Sequence, residues 1–310
     1  MAARRTIADS GAWRLHTIAA ALAASVAGIV PGAAGGDPGF DANRYLAPPL
    51  ADDGLDIQRP TTLKGGTWGG VVALSHASDA LKGRLEDGGE RQIIEEQLWL
   101  WAFAAYGVVD RLTLHVGLPI PIRQVGDTNG VQGVTSKLHS FAVGDLRLGG
   151  RVGFTGPPRE VAPLGLALDA ALFIPIGSRE AFASDGKVRV QVTAIGEGIV
   201  EHHFFVGGTV GVLTRPELHV AGTTTGTMLQ LAAAGGLRSH HDALRLGAEA
   251  NAQIPLAHAG ASYEILAVAK ASLFRGLHLT VGAGPGIGAG WQTPDFRAVA
   301  RVGWQQPPRR

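Results

Sequence analysis

Cysteine is absent from the 310 residues, and methionine occurs only twice. Without cysteine the chain cannot contain a disulfide framework, a thiolate zinc site, a cysteine nucleophile or a lipid-modified cysteine. Charged residues are also scarce, at 17% against roughly 25% in soluble domains. The formal net charge of +1 provides no global basic field. Nucleic acid is therefore not expected as a partner.

Long hydrophobic runs are also missing, apart from one near the N-terminus. Arg4, Arg5 and Arg14 precede a 14-residue apolar stretch, Thr17–Val30, which is followed by small residues up to Gly36. This layout is typical of a secretory signal peptide, and the run is shorter than the ~20 residues of an ordinary spanning helix. We expect a signal peptide over residues 1–34. The alternative is an N-terminal membrane anchor.

What the chain has in abundance is glycine, at 45 residues, within segments of about ten residues that alternate between apolar and polar positions. In Lys187–Ala194 the odd positions are polar and the even positions apolar, which is the pattern of a strand with two different faces. Such segments predict twelve strands, at about 67–76, 97–108, 111–124, 141–155, 163–175, 187–199, 203–214, 225–238, 243–255, 262–274, 276–289 and 295–304. Residues 35–66, rich in Pro, Gly and Asp, are expected to form an extended periplasmic lead-in, and residues 306–310 a short tail.

Two arrangements fit this alternation, a soluble sandwich and a membrane barrel. Short connections alternate with longer ones, as in outer-membrane barrels, and most aromatic residues lie near the segment ends. The polar faces also carry charges in mid-strand, which a sandwich core would not tolerate. We therefore predict an all-β fold: one transmembrane antiparallel up-and-down β-barrel of about twelve strands over residues 67–305. The alternative is a soluble periplasmic β-sandwich or lipocalin-like barrel that binds a lipid or a protein partner.

The predicted register turns one set of charged side chains toward the barrel lumen. Because Arg and Lys outnumber Asp and Glu in this set, an open lumen would favour anions. Pairing between arginines and carboxylates would instead close the lumen and leave a structural barrel. The connection 77–96 is expected to be a solvated outer loop, and the alternative is that it folds inward as a plug. The candidate lumen-lining residues are Arg111, Asp145, Arg147, Arg151, Asp169, Lys187, Arg189, Arg245, Glu249, Glu264, Lys270, Arg297 and Arg301.

Several short segments of the sequence are similar to segments of a known protein family. They are Phe40–Pro49, Gly144–Gly149, Phe182–Gly186, Gly211–Glu217 and Gly282–Arg297. In this order they resemble the N-terminal β-barrel region of large OmpA-like outer-membrane proteins of Gram-negative bacteria. The resemblance covers roughly residues 38–305 and implies an outer-membrane location. In that family a peptidoglycan-binding domain usually follows the barrel. This sequence ends at Arg310 without one, so the resemblance does not carry over cell-wall anchoring.

No catalytic, cofactor or metal motif stands out. His202–His203 and His240–His241 fall in predicted turns, and adjacent histidines in a strand point to opposite faces, so we expect solvated turns and no metal site. The expected function is a narrow pore, or porin-like passive transporter, or else a purely structural membrane protein, and not an enzyme. Expected partners are outer-membrane lipid, the barrel-assembly machinery during insertion, and small solutes or ions if the lumen is open. A monomer is expected.

Overall fold

Twelve antiparallel strands form a closed barrel in the computed structural model, and a two-stranded hairpin lies in one connection. The described residues are 40–84, 90–129, 138–155, 157–158, 163–220, 223–239, 242–257, 260–288, 290 and 292–307. The predicted signal peptide lies outside them. The barrel strands are β1 (Trp68–Arg84), β2 (Glu90–Val109), β3 (Leu112–Gly126), β4 (Leu146–Gly153), β5 (Leu164–Ile174), β6 (Arg189–Val200), β7 (Phe204–Thr214), β10 (Met228–Arg238), β11 (Leu244–Pro255), β12 (Ser262–Ser272), β13 (Leu277–Ile287) and β14 (Phe296–Gln305). The hairpin pairs β8 (Leu218–Val220) with β9 (Thr223–Thr225), and a short 3-10 helix, Phe274–Gly276, precedes β13.

Each barrel strand pairs with its neighbours along the chain, and β14 pairs with β1 to close the wall. Closure leaves no sheet edge with unpaired backbone N–H and C=O groups. A sheet that spans a bilayer needs this, because lipid offers no hydrogen-bond partners. The barrel begins at Trp68 and ends at Gln305, as the alternation predicted. The twelve-stranded barrel is confirmed, and the sandwich alternative is wrong.

The outer wall of the barrel is apolar. Outward positions of β3 through β14 carry leucine, valine, alanine and glycine, with residues such as Val206 and Val210 more than half exposed. A monomeric soluble protein rarely exposes an apolar surface of this extent, whereas a lipid-facing wall requires it. Outward charges such as Glu96 and Arg123 lie toward the end of the barrel with the longer loops, where they pair at 3.2 Å. No helix among the described residues is long and apolar enough to cross a membrane.

Aromatic side chains mark the end of the barrel with the short turns. Trp68, Phe154, Phe204, Phe274 and Trp304 are each between 43% and 74% exposed on the outer wall. Such a ring is typical of a barrel at a membrane–water interface. Toward the other end, three aromatic residues that lie near predicted segment ends point inside the barrel: Trp99, Trp101 and Phe173.

The connection between β1 and β2 differs from its prediction. The two strands run on to Arg84 and from Glu90, so most of residues 77–96 is paired strand rather than solvated loop. The inward faces of this extension carry Ala77, Leu81, Ile93 and Ile94, which are buried against Phe40 and Phe182. The acidic and basic residues of the segment obscured this apolar face in the sequence.

Most of residues 40–66 lies inside the barrel, not in an extended periplasmic lead-in, and only Lys64, Gly65 and Gly66 are exposed at its end. We call this segment the plug. Its N-terminal part contacts residues near the longer loops, since Ala42 donates its N–H to the Phe182 carbonyl at 3.0 Å. Its C-terminal part reaches the short-turn end, where Gly66 donates to the Gly107 carbonyl at 2.7 Å. The plug therefore runs the length of the barrel before it turns into β1.

Candidate functional site

The plug is held in a bent conformation by one of its own carboxylates. Asp53, which is 0% exposed, accepts hydrogen bonds from the backbone N–H groups of Leu50 and Arg59 at 2.9 and 2.8 Å. Gly54 donates its N–H to the Ile57 carbonyl at 2.9 Å. An aspartate that caps backbone N–H groups in this way satisfies a turn which would otherwise be unpaired inside the barrel.

The same carboxylate binds the barrel wall. Arg151 of β4 donates to both Asp53 oxygens, at 2.7 and 3.0 Å, and to Asp169 of β5 at 3.2 Å. Asp169 also lies 3.2 Å from His115 Nε2 and 3.6 Å from Arg147. A forked arginine–carboxylate contact of this kind fixes orientation as well as charge, so Arg151 sets the depth of the plug within the barrel.

A second wall carboxylate binds the plug backbone directly. Glu249 of β11 accepts the N–H groups of Leu55, Asp56 and Ile57, with the Asp56 contact at 2.6 Å and the others between 3.0 and 3.1 Å. Three consecutive N–H groups are otherwise orphaned here, because the plug forms no helix or strand at this point. Gly54 is required by this contact, since a Cβ there would lie 2.2 Å from Glu249 Oε1.

At the short-turn end the plug joins a network of ion pairs. Arg59 donates to both oxygens of Glu197 of β6, at 2.7 and 2.9 Å, and to Asp52 at 2.6 Å. Arg245 of β11 donates to the same Glu197 at 2.9 Å, and Lys270 of β12 lies 2.5 Å from Asp52. Plug and wall thus supply partners to each other's charges.

At the long-loop end a further network surrounds the start of the plug. Asp185, which lies between β5 and β6, accepts two bonds from Arg215, at 2.6 and 2.8 Å, and the N–H of Asp41 at 2.8 Å. Arg189 of β6 lies 2.9 Å from both Asp41 and Asp145. Burial opposes ionisation of Asp185, but Arg215 and then Arg189 outweigh it and hold the pKa of that carboxyl below its usual value.

Two arginines of β14 complete the contacts. Arg297 forms a fork with Glu264 of β12, at 2.9 and 3.0 Å, and Glu264 lies 3.4 Å from Arg44 of the plug. Arg301 donates to plug carbonyl groups, among them those of Leu50 and, at 2.6 Å, Asp53. Arginine suits this position because its five donors can satisfy several backbone acceptors at once.

One face of the plug is apolar. Tyr45, Ala47, Ala51 and Leu55 pack against the inward side chains of β1, β2, β12 and β14, among them Trp101. This contact explains why large aromatics face inward on β2, where a water-filled lumen would not stabilise them. The plug is therefore held on one side by apolar packing and on the others by charges.

The comparisons with known proteins agree with this architecture. No family model matches the chain, and no curated protein matches it. Among solved structures, the COG4313 outer membrane channel from Pseudomonas putida F1 superposes with a TM-score of 0.61 at 15% identity, over 79% of this chain and 97% of that one. The β domain of the Bordetella autotransporter BrkA gives 0.43 at 11% identity, over 77% and 99%. A Pseudomonas aeruginosa FadL homologue gives 0.40 at 8% identity, over 77% and 90%.

The chain has the fold of an outer-membrane β-barrel. The superposition on the Pseudomonas putida channel establishes this fold. The closed wall and its apolar exterior place the barrel in a lipid environment.

The structure buries eleven of the thirteen predicted lumen residues. They are Asp145, Arg147, Arg151, Asp169, Arg189, Arg245, Glu249, Glu264, Lys270, Arg297 and Arg301. The expected inward position of Arg111 is wrong, because Arg111 lies exposed in the turn between β2 and β3, beyond the end of the ladder. Lys187 is half-buried and precedes β6 instead of lying within it, so strand alternation does not determine its direction.

The plug brings carboxylates into an interior whose buried wall charges are mostly positive. Among the described residues, the strands and loops contribute eight buried Arg or Lys side chains and six buried carboxylates. The plug adds two cations, Arg44 and Arg59, and four carboxylates, Asp41, Asp52, Asp53 and Asp56, which are buried or half-buried. The buried side chains of the wall have an excess of two positive charges, and the half-buried Asp52 and Asp56 give the plug an excess of two negative charges. The plug is thus complementary to the wall in charge as well as in shape.

Sequence reasoning missed the plug residues, together with Asp185 and Arg215. A signal was available, because Asp52, Asp53 and Asp56 precede a barrel whose inward face is predominantly cationic. Large apolar residues within the same segment, such as Tyr45 and Leu55, were a second signal, since a solvated lead-in has no use for them.

No cluster of three or more metal-binding side chains occurs among the described residues. His202 and His203 lie exposed in the turn between β6 and β7. The second predicted pair, His240–His241, lies outside the described residues.

Proposed function

We propose that this protein is an outer-membrane pore or passive transporter whose lumen is closed by its own N-terminal plug. The observation that carries the proposal is the position of residues 40–66, which fill the lumen along its length through ion pairs and backbone contacts. A purely structural barrel could fill its interior with wall side chains alone. The wall here instead has small inward residues, such as Ala232 and Ala234, and leaves the space to a separate segment.

The Pseudomonas putida structure of the same fold is described as an outer membrane channel, which supports the pore over the structural alternative. A soluble lipid-binding barrel is not favoured, because its apolar surface would face inward and its charges outward, the reverse of this wall. We propose a non-enzymatic monomer, inserted by the barrel-assembly machinery, that passes small solutes or ions. The eleven buried wall charges are proposed to line the lumen once the plug has moved.

The relation to the OmpA-like barrels is part of the proposal. Four of the recurring sequence segments contribute side chains to the same network, which supports this relation. Asp41, Asp145, Asp185 and Arg215 belong to four separate segments of the sequence, and with Arg189 they form the network around the start of the plug. A shared plug-docking site explains why these short segments recur together.

The test is removal of the plug. A chain that lacks residues 40–60 is refolded in detergent, checked for heat-modifiable gel mobility and inserted into a planar bilayer. We expect the full chain to be mostly closed and the shortened chain to conduct with a preference for anions, because the wall alone has the positive excess. A folded, shortened barrel that does not conduct would contradict the pore. Cation preference would contradict the charge assignment.

A further inference from the structure

A polar cavity lies between the plug and the wall formed by β6, β7, β10 and β11. Ala232 of β10 is small, so the wall at this position does not reach the plug as Trp101 does on the opposite side. The cavity has a volume of about 60 Å³. Its lining is dominated by carboxamide and hydroxyl groups: Gln191, Thr193, Thr209, Gln230, Asn251 and Gln253.

Two acceptors in this lining are unpaired. Gln191 Oε1 and Thr193 Oγ1 have no hydrogen-bond partner among the described residues, although the two side chains are only 6% and 5% exposed. The amide nitrogen of Gln191 is engaged, since it donates to Gln230 Oε1 at 2.7 Å. Buried polar atoms are nearly always hydrogen-bonded. Nε and Nη1 of Arg44, in the same lining, also have no hydrogen-bond partner among the described residues. The cavity therefore presents both acceptors and donors, a combination that hydroxyl groups can satisfy.

The charged side chains beside the cavity already have polar partners. Arg44 donates to Asn251 Oδ1 at 2.7 Å and lies 3.4 Å from Glu264, which Arg297 also binds. Asp56 accepts the Asn251 amide at 2.7 Å. A charged ligand would have to compete with these contacts, and an apolar one would leave the acceptors unpaired. The fitting ligand is neutral and rich in hydroxyl groups.

We propose that this cavity binds a small uncharged polyol, whose hydroxyl groups donate to Gln191 Oε1 and Thr193 Oγ1. At about 10–15 Å³ for each water-sized sphere, the volume accommodates about four to six such spheres, which suits a molecule of the size of glycerol. The inference rests on the proposed function, since the cavity is then the solute site of the pore. With the plug in place, the expected solute is therefore neutral, whereas the wall charges favour an anion once the plug has moved.

Saturation-transfer NMR tests the site on the full chain, refolded in a detergent without a sugar headgroup. The probes are glycerol, propionate and propylammonium, which are similar in size and differ in charge. We expect saturation of glycerol alone. Thr193→Val removes one acceptor with little change of shape and should weaken glycerol binding about tenfold, the factor expected for one net hydrogen bond. Gln191→Leu provides a second, independent loss of an acceptor.

Thr280→Val is the matched control. Thr280 of β13 is also buried, at 1% exposed, and its hydroxyl is also unpaired among the described residues, but it lies outside the cavity. This variant should bind glycerol as the unchanged chain does. Absence of glycerol saturation, equal binding by the Thr193 variant, or equal saturation of a charged probe would each overturn the proposal.

The two proposals fail separately. A chain that binds glycerol, but whose shortened form never conducts, contradicts the pore and leaves the polyol site standing. A shortened chain that conducts, together with a full chain that shows no glycerol binding, contradicts the site alone.

Discussion

Glu249 offers the sharpest test of how the plug is held. Its carboxylate accepts three consecutive plug N–H groups and belongs to the wall, so Glu249→Gln leaves the plug sequence untouched. Hydrogen bonds to a charged group contribute about 1.5–3 kcal/mol each. All three N–H groups donate to the same oxygen, Oε2, so an amide oxygen in that position keeps the contacts but loses the charge, which weakens each bond by about 1 kcal/mol. The sum over three bonds, ~3 kcal/mol, corresponds to about a hundredfold increase in the population with the plug released.

Thiol labelling measures this population directly. The chain has no cysteine of its own, so Ala47→Cys places a single thiol on the plug at a position that is 0% exposed. We expect a membrane-impermeant maleimide to label this site about a hundredfold faster in the Glu249→Gln background, provided that release and rebinding are faster than labelling. Open events in a planar bilayer should become more frequent in parallel.

Glu96→Gln is the control. It removes the same charge, but from an exposed ion pair with Arg123 on the outer wall, and should change neither measurement. If the Glu249 variant folds, as judged by gel mobility, and both its labelling rate and its open events match those of the control, the Glu249 carboxylate does not hold the plug. The reasoning from backbone contacts to closure would then be wrong.

Three further outcomes follow from the same contacts. Asp53→Asn breaks a fully buried fork to Arg151 and should cost about 3–5 kcal/mol, seen as a lower thermal midpoint; an unchanged midpoint would contradict the role of Asp53. Folding lowers the pKa of Asp185. Its ionised form therefore stabilises the fold fully above the unfolded-state pKa of ~3.9, and this stabilisation is lost as the pH falls through the lower folded-state pKa. Asp185→Asn should therefore destabilise the chain at pH 7, and the difference should shrink below about pH 4, whereas a constant difference would argue against ionisation. Val210 lies at an outward position in the middle of β7 and is 56% exposed, so Val210→Lys should destabilise the membrane-inserted barrel by about 2–4 kcal/mol. The control Glu217→Lys, at an exposed position in the following loop, should not destabilise it. Equal effects of the two substitutions would contradict a lipid-facing wall.

The sequence by itself determined the barrel wall. Period-two alternation assigns each side chain of a strand to one of two faces, so the burial of Arg147, Arg151 and Arg297 could be read from position alone. The same rule failed where no strand continues, at Arg111 in a turn and at Lys187 before β6. It also failed for residues 77–96, where charged residues masked the inward face of a long hairpin.

Only the tertiary structure decided what fills the barrel. The plug has no period, because its backbone N–H groups are satisfied by carboxylates of the wall and of the plug itself and not by a neighbouring strand. Its partners are distant in sequence; Asp53 and Arg151 are 98 positions apart, and Leu55 and Glu249 are 194 apart. Alternation predicts whether a charged side chain of the wall points inward. Its partner depends on the path of the plug, which local sequence does not specify. The inward arginines were thus predictable, and their neutralisation by the plug was not.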